Sequence, residues 1–339
     1  VIEQLPPMKN LLLALACVGL CTVSGAQEPA RPTIRIGLIG LDTSHVPAFA
    51  GIFNNAKATG DLAGFKVVAG YPGGTDLPAS RDRVARFTEQ TRAKGVEIVD
   101  SIPALLAKVD VVMLESVDGR IHLQEAIPVI KAGKPLWIDK PIAGSLADAI
   151  AIFELAKQHN VPVFSSSPVR FVAEVQAAVT NDAIGPILGA ATWGSCSHST
   201  GTPDLFFYGI HGIEPLFVLL GAGCHTVSRG VTKETEIVTG VWKDGRVGTY
   251  RGIHKGKAGF GATVFGTKAI VQMEKGDGFN GLGREIARFF KTRKSPVSPE
   301  ETIEIFTFME AADESKRQGG APVALADVLA KAKTEAAAK

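Results

Sequence analysis

Four groups of residues in this chain have types and spacings suited to chemistry. The first is Gly40-Leu41-Asp42-Thr43-Ser44-His45, which follows a short apolar run containing Gly37. Glycines there let the chain turn sharply and bring a helix N-terminus onto an anion such as a phosphate. The run opens like the dinucleotide fingerprint G-x-G-x-x-G, but Asp42 and His45 stand where the second and third glycines belong. Beside a pyrophosphate Asp42 would be repulsive unless it turned away to cap its helix. Thr43 and Ser44 offer hydroxyl donors in place of glycine amides, and His45 denies the close helix approach that glycine permits. The second group is the polar stretch Glu115 to Arg120, with Ser116 in it and His122 just beyond. The third is Asp139-Lys140-Pro141, where a fixed ammonium can lower the pKa of a nearby hydroxyl. The fourth is His211 with Glu214 three residues on, an imidazole that titrates near neutrality and a carboxylate placed to orient it if the segment is helical. Arg170 fits either a substrate hydroxyl or carboxylate or a local salt bridge.

Other chemistries find little support. Cys196, His198, Cys224 and His225 include soft ligand types, but their spacing fits no compact zinc motif, and no metal ligands are assigned. Between Cys196 and Cys224 a single disulfide and two buried thiols remain equally open. There is no nucleophile elbow and no Walker loop. The formal charge of +2 comes from scattered basic residues, which argues against nucleic acid as a partner.

The elements that must position these groups can be read along the chain. The apolar run of Ile34, Ile36, Leu38, Ile39 and Leu41 reads as a buried strand and tight turn, followed by a helix from about Val46 to Ala58. Phe65 to Ala69 is a second strand, ending in Tyr71-Pro72-Gly73-Gly74 with no acidic residue for an adenine ribose. Ala79 to Lys94 reads as a helix, Val96 to Val99 as a strand, and Ser101 as the cap of a short helix. Val109 to Leu114 is a strand, His122 to Ala132 a helix, and Pro135 to Ile138 a strand. Ser145 caps the helix to about His159, and Val161 to Phe164 closes the sheet. Strands alternating with helices mean a parallel, doubly wound sheet, with Ser116 and Lys140 beyond strand carboxyl ends, where ligands bind. From Ser165 the pattern changes to strands at Ile187 to Trp193, Glu236 to Trp242, Val247 to Ile253 and Gly261 to Met273. Helices are expected near Phe171 to Asn181, Ile210 to Leu220 and Thr302 to Ser315. Short links of the Asp244-Gly245 kind point to a mainly antiparallel sheet.

The expected organisation of the 339 residues follows: 1–26 upstream residues and a secretory signal, 27–32 a linker, 33–165 a Rossmann-type domain, 166–320 an α+β domain, and 321–339 a tail. Met8-Lys9-Asn10, the apolar run Leu11 to Val23 and Ser24-Gly25-Ala26 have the build of a Sec-type signal, which predicts a periplasmic or secreted protein without a stable membrane span.

The chain resembles the Gfo/Idh/MocA family of NAD(P)-dependent sugar and cyclitol oxidoreductases. The likeness is carried by Ile36 to Gly40, His122-Leu123-Gln124-Glu125-Ala126 before Ala132-Gly133-Lys134, and Ile138-Asp139-Lys140-Pro141 for the family's E-K-P. Arg170, His211-Gly212-Ile213-Glu214 and Phe265-Gly266-Thr267-Lys268 continue it. The resemblance implies a Rossmann domain followed by an open antiparallel sheet that packs against a partner copy, giving a homo-oligomer. It implies NAD or NADP as cofactor, held by Gly37, Gly40, Asp42, Thr43, Ser44, His45, Ser116, His122, Asp139, Lys140 and Pro141. Arg81 or Arg83 would meet a 2′-phosphate. A carbohydrate would lie against Lys140, Arg170, His211 and Glu214, with Lys140 and His211 catalytic. Phe207 stands where the family commonly places an Asp four residues before the histidine. The leading expectation is an exported nicotinamide-dependent oxidoreductase. A redox-neutral sugar-processing enzyme with tightly held NAD and a non-catalytic carbohydrate-binding protein on the same fold are the alternatives.

Overall fold

The structure is a computed structural model that describes residues 1–2, 33–199, 201–274 and 278–339; the expected signal and linker lie outside the described residues. Residues Thr33–Lys339 form one compact unit. In chain order its first half contains β1 (Ile34–Ile39), α1 (His45–Phe53), β2 (Phe65–Tyr71), α2 (Pro78–Arg81), α3 (Val84–Arg92), β3 (Glu97–Ile98), α4 (Ile102–Leu106), β4 (Val111–Leu114), α5 (His122–Lys131), β5 (Leu136–Ile138), α6 (Leu146–Gln158) and β6 (Val163–Ser165). The second half contains α7 (Ala173–Ala178), β7 (Ile187–Ser195), α8 (Asp204–Phe207), α9 (Ile210–Leu220), β8 (Cys224–Val231), β9 (Thr235–Trp242), β10 (Val247–Ile253), β11 (Gly261–Gly266), β12 (Ile270–Met273), α10 (Asn280–Thr292), α11 (Pro299–Arg317), β13 (Val323–Ala324) and α12 (Leu325–Ala336).

The first six strands pair in parallel in the order β3-β2-β1-β4-β5-β6, so the topology reverses between β1 and β4. A ligand crevice opens beyond the carboxyl ends of strands at such a reversal. Alternation along β1 sends Ile36 and Leu38 to one face. There they meet Phe49 and Phe53 of α1, Trp137 of β5, and Leu282, Ile286 and Phe289 of α10. The sequence reading had no helix at Asn280–Thr292. Gly281 and Gly283 weaken its intrinsic propensity, but a Cβ at Gly283 would already touch Ile52, so the small residue lets α10 approach α1.

The second sheet has the order β12-β11-β7-β10-β9-β8-β13, antiparallel except for the β7–β10 pair. Helices α9 and α11 pack on one face of it, and Tyr250, Trp242, Phe217, Phe306 and Phe308 fill the space between. Its other face is open. The registers Ile270↔Phe265, Phe265↔Gly189, Gly189↔Val247 and Val247↔Val241 run an apolar row across it.

Several boundaries differ from the expectation for local physical reasons. Helix α1 stops at Phe53 because the Asn54 side chain bonds both the N–H and the C=O of Val67 in β2. The expected helix Ala79 to Lys94 is two helices, broken at Asp82 and Arg83. Gly261 to Met273 is a hairpin, since Gly266 N–H closes on Ala269 O at 2.9 Å. Strand β8 was not anticipated, and the alanine- and lysine-rich end forms α12, which docks on α6 through the buried Leu325 and Ala332.

Candidate active site

The site begins where β1 ends. Gly40 has φ +81°, and a Cβ there would lie 2.1 Å from Ser116 Oγ and 2.4 Å from the Ser116 backbone. Only glycine permits this approach of the loop after β1 to the loop after β4. Gly37, expected to touch cofactor, instead faces the core: a Cβ would strike Leu105 Cδ2 at 2.5 Å. It is a packing glycine under α4.

Asp42 neither caps α1 nor faces the anion path. It is fully buried, with Oδ1 accepting Val117 N–H at 2.9 Å and Oδ2 accepting the Ser80 hydroxyl at 2.6 Å. Burial raises its pKa, against the pull of these two bonds. The loop after β2 is laced to the same region: Thr75 donates to Asp118 at 2.8 Å, and Arg120 spans Asp118 and Asp76. The first turn of α1 has no side-chain cap, and Ser44 at its start is exposed. Thr43 is buried beside it, with its Oγ1 3.5 Å from His45 N. Backbone donors left open at a helix N-terminus suit an anion.

His45 does more than replace a glycine. Its Nδ1 lies 2.5 Å from Asp139 Oδ2, and its ring sits edge-on to Phe279 at 4.7 Å. Asp139 also accepts Lys140 N–H at 2.8 Å. Burial opposes its ionisation, but the contacts with His45 and Lys140 prevail and hold the carboxyl below its usual range. Lys140, with a cis bond to Pro141, sends its ammonium toward Phe207 O at 3.4 Å and over the Tyr208 ring at 5.3 Å. Burial lowers its pKa, countered by Asp139.

His211 reaches the same Tyr208 ring, at 5.2 Å between centroids. Its Nδ1 lies 2.7 Å from Ser167 Oγ, and its edge meets Phe260. Burial, reinforced by the charges of Lys140 and His45, pushes its pKa well below the usual value, so the resting ring is neutral. Glu214 does not orient the ring directly, as its spacing suggested. It accepts Ser167 N–H at 2.8 Å and Ser166 O–H at 2.7 Å, and so fixes the serine that touches the histidine. Arg170 forms a local ion-pair group, with its Nη1 making no hydrogen bond among the described residues. It is buried, pairs with Glu301, and holds Nη1 3.9 Å from Glu214. Burial carries Glu214 up to about 7, opposed by Arg170. An apolar cavity of about 230 Å³ lies beside His211, lined by Val169, Val172, Trp193, Phe260 and Phe279 among others.

His122 organises rather than reacts. It is fully buried, with Nε2 2.7 Å from Ser116 O and Nδ1 3.2 Å from Ile142 O, joining the loops after β4 and β5. Ser116 bonds Glu125 at 2.7 Å. Sequence reasoning missed Ser80, Ser167, Tyr208, Phe260 and Glu125; Ser167 and Tyr208 are common residue types in segments whose proximity to His211 exists only in the fold. Cys196 and Cys224 are both buried and unbridged.

Residues 76–167 match the model of the Gfo/Idh/MocA family, described as an oxidoreductase family with an NAD-binding Rossmann fold. This bears out the resemblance carried by the sequence. No curated protein matches the chain. Among solved structures, scyllo-inositol dehydrogenase from Lactobacillus casei with bound NAD(H) and scyllo-inositol superposes with a TM-score of 0.70 at 16% identity, covering 87% of this chain and 99% of that one. An oxidoreductase from Agrobacterium radiobacter in complex with NAD+, L-tartaric acid and magnesium gives 0.68 at 16% identity, covering 87% and 99%. At these identities the structural likeness establishes the fold.

Burial lifts the Glu125 carboxyl from 4.5 to about 7. Between those values the folded protein holds a proton that the unfolded chain has released, so stability falls as pH rises through that window. For this group the loss is on the order of 3 kcal/mol. Denaturant unfolding from pH 5 to pH 8 should show a shallower decline in Glu125→Gln than in the wild type. Equal slopes would show that Glu125 ionises normally in the fold.

Proposed function

We propose that this protein is an exported, nicotinamide-dependent oxidoreductase that interconverts CH–OH and C=O groups of a sugar or cyclitol. The observation that carries the reading is the convergence of the Lys140 ammonium and the neutral His211 imidazole on Tyr208, beyond the sheet that presents the crevice.

The residues present fit NAD or NADP. The first turn of α1 is uncapped, Gly40 preserves the turn, and Asp42 is withdrawn into bonds with Val117 and Ser80. Ser44, the α1 amides, Ser116 and Lys140 are the groups that would hold the cofactor, whose nicotinamide supplies hydride exchange when bound. Lys140 donates to the reacting oxygen and stabilises charge developing there. His211 moves the hydroxyl proton at Nε2. Ser167 lets the ring serve both directions. With Nδ1–H given to Ser167, Nε2 presents a lone pair and takes the hydroxyl proton as base; in the reverse direction the imidazolium so formed, still bonded through Nδ1–H to Ser167, returns that proton from Nε2 as acid. The surrounding aromatic and apolar groups exclude water, which strengthens both interactions.

Oligomerisation through the open face of the second sheet is part of the same proposal. Phe265, Val247 and Ile270 are 40%, 44% and 68% exposed in one apolar row, a surface that a second copy would cover. Export rests on the sequence pattern Met8 to Ala26.

Four measurements test these statements. His211→Ala should lower kcat by about 10² to 10⁴ while NAD or NADP still quenches tryptophan fluorescence; full turnover in that variant removes the assigned acid/base. Failure of the wild type to bind either nucleotide ends the oxidoreductase reading in favour of a binding protein, whereas cofactor retained in fixed ratio without net turnover identifies a redox-neutral enzyme. Phe265→Lys should shift sedimentation from oligomer to monomer, and a monomeric wild type contradicts the assembly. Intact mass of protein recovered from the periplasm should correspond to a chain starting at Gln27; a chain retaining its first residues in the cytoplasm contradicts export.

A further inference from the structure

Beyond the catalytic crevice, the far ends of β7 and β10 bring together a second set of reactive side chains. Cys196 follows β7, His254 follows β10, and Glu236 comes from the neighbouring strand β9. Cys196 Sγ donates to Glu236 Oε1 at 2.8 Å, and His198 Nε2 lies 3.5 Å from the same oxygen. Ligand atoms of Cys196, His198 and Glu236 all fall within 4.8 Å of one another. His254 joins them: its ring is 4.8 Å from that of His198, and its Nε2 is 3.9 Å from Glu236 Oε2. This grouping differs from the one the sequence offered, because Cys224 turns to the Thr226 and Val241 carbonyls and His225 is exposed.

We propose that Cys196, His198, His254 and Glu236 bind a divalent cation of the zinc(II) class. One thiolate, two imidazoles and one carboxylate oxygen make a complete tetrahedral donor set for a borderline cation. The edges of such a site are roughly 3.2 to 3.8 Å; Cys196, His198 and Glu236 already place ligand atoms within 4.8 Å of one another, and His254, whose Nε2 lies 3.9 Å from the other Glu236 oxygen, completes the set by turning toward them.

The surrounding contacts prepare each ligand. His254 Nδ1 lies 2.8 Å from Cys196 O, a carbonyl that can only accept, so Nδ1 carries the hydrogen and Nε2 of the neutral ring keeps its lone pair toward the cluster. Arg229, fully buried, bonds Glu236 Oε2 through both Nε and Nη2, which holds the carboxylate plane and leaves Oε1 to the cluster. The Tyr250 hydroxyl is buried beside the Cys196 sulfur. It is placed to donate to a thiolate sulfur. His198 remains one-third exposed and gives the cation a route in. The other charged groups facing the cluster are Asp204, 3.7 Å from His198, with Asp313 and Lys316 behind it around Arg229. Binding displaces the Cys196 thiol proton to solvent.

The cation would act on the reaction only through position. Asp204, which lies 3.7 Å from His198 and pairs with Arg229, begins the short helix α8, and just after it the Phe207 carbonyl and Tyr208 ring lie against Lys140. A clamp at His198 would fix the segment that seats the catalytic lysine.

The test is cobalt(II) and zinc(II) titration of the reduced, full-length protein. The expected result is about one equivalent per chain with a thiolate-to-cobalt charge-transfer band, retained in Cys224→Ser and absent in Cys196→Ser. His254→Ala should weaken binding by about 10-fold to 100-fold. Because Cys224→Ser, made in a chain that also carries Cys17→Ser and Cys21→Ser, leaves Cys196 as the sole thiol, its spectrum decides the matter even if Cys196→Ser fails to fold. No uptake, uptake without the band, or loss of the band in Cys224→Ser would overturn the assignment.

Discussion

The arrangement rests on the approach of Gly40 to Ser116. A side chain at position 40 would overlap backbone atoms, which cannot rotate aside, so the loops after β1 and β4 can close on each other only with glycine there. That closure brings Asp42 to Val117 N–H and Gly40 N–H to Tyr71 O. The acid at the second fingerprint position is tolerated because this contact exists. The same loop that departs from the glycine pattern thereby gains a buried anchor in the bonds of Asp42 to Val117 and Ser80.

From that loop a line of polar contacts crosses the molecule. His45 meets Asp139, Asp139 holds the start of Lys140, Lys140 and His211 share Tyr208, and His211 leads through Ser167 to Glu214, Arg170 and Glu301. Each charge state sets the next. Asp139 counters the burial that lowers the pKa of Lys140, and burial of His211, reinforced by the charge of Lys140, pushes the imidazole well below its usual pKa. The Phe207 position, where the family pattern led to an expectation of Asp, contributes its carbonyl instead of a second acid.

The parts legible in the sequence were those with local causes. Apolar runs gave the strands of the first sheet, and Ser101 and Ser145 cap their helices as their positions implied. Lys140 and His211 were visible because their neighbours form ordered motifs. What escaped depended on partners distant in sequence. Gly37 was indistinguishable from a phosphate-loop glycine until Leu105 was seen above it, and Arg170 could not be known to pair with Glu301, 131 residues away. The i+3 spacing of His211 and Glu214 was read correctly as helical, but Ser167 intervenes from another segment.

Helix α10 has a bearing on how the molecule is made. Phe49 packs against Phe279 and shares one core with Leu282, Ile286 and Phe289, so part of one face of the first sheet stays uncovered until the last quarter of the chain is made. Contacts this remote in sequence form late and slowly. During that interval the exposed aromatic surface would have to be shielded from other chains, and the first sheet cannot be excised at Ser165 as a free-standing module. A chain that stays open until its last quarter emerges is also one that could be threaded through a narrow pore before it closes.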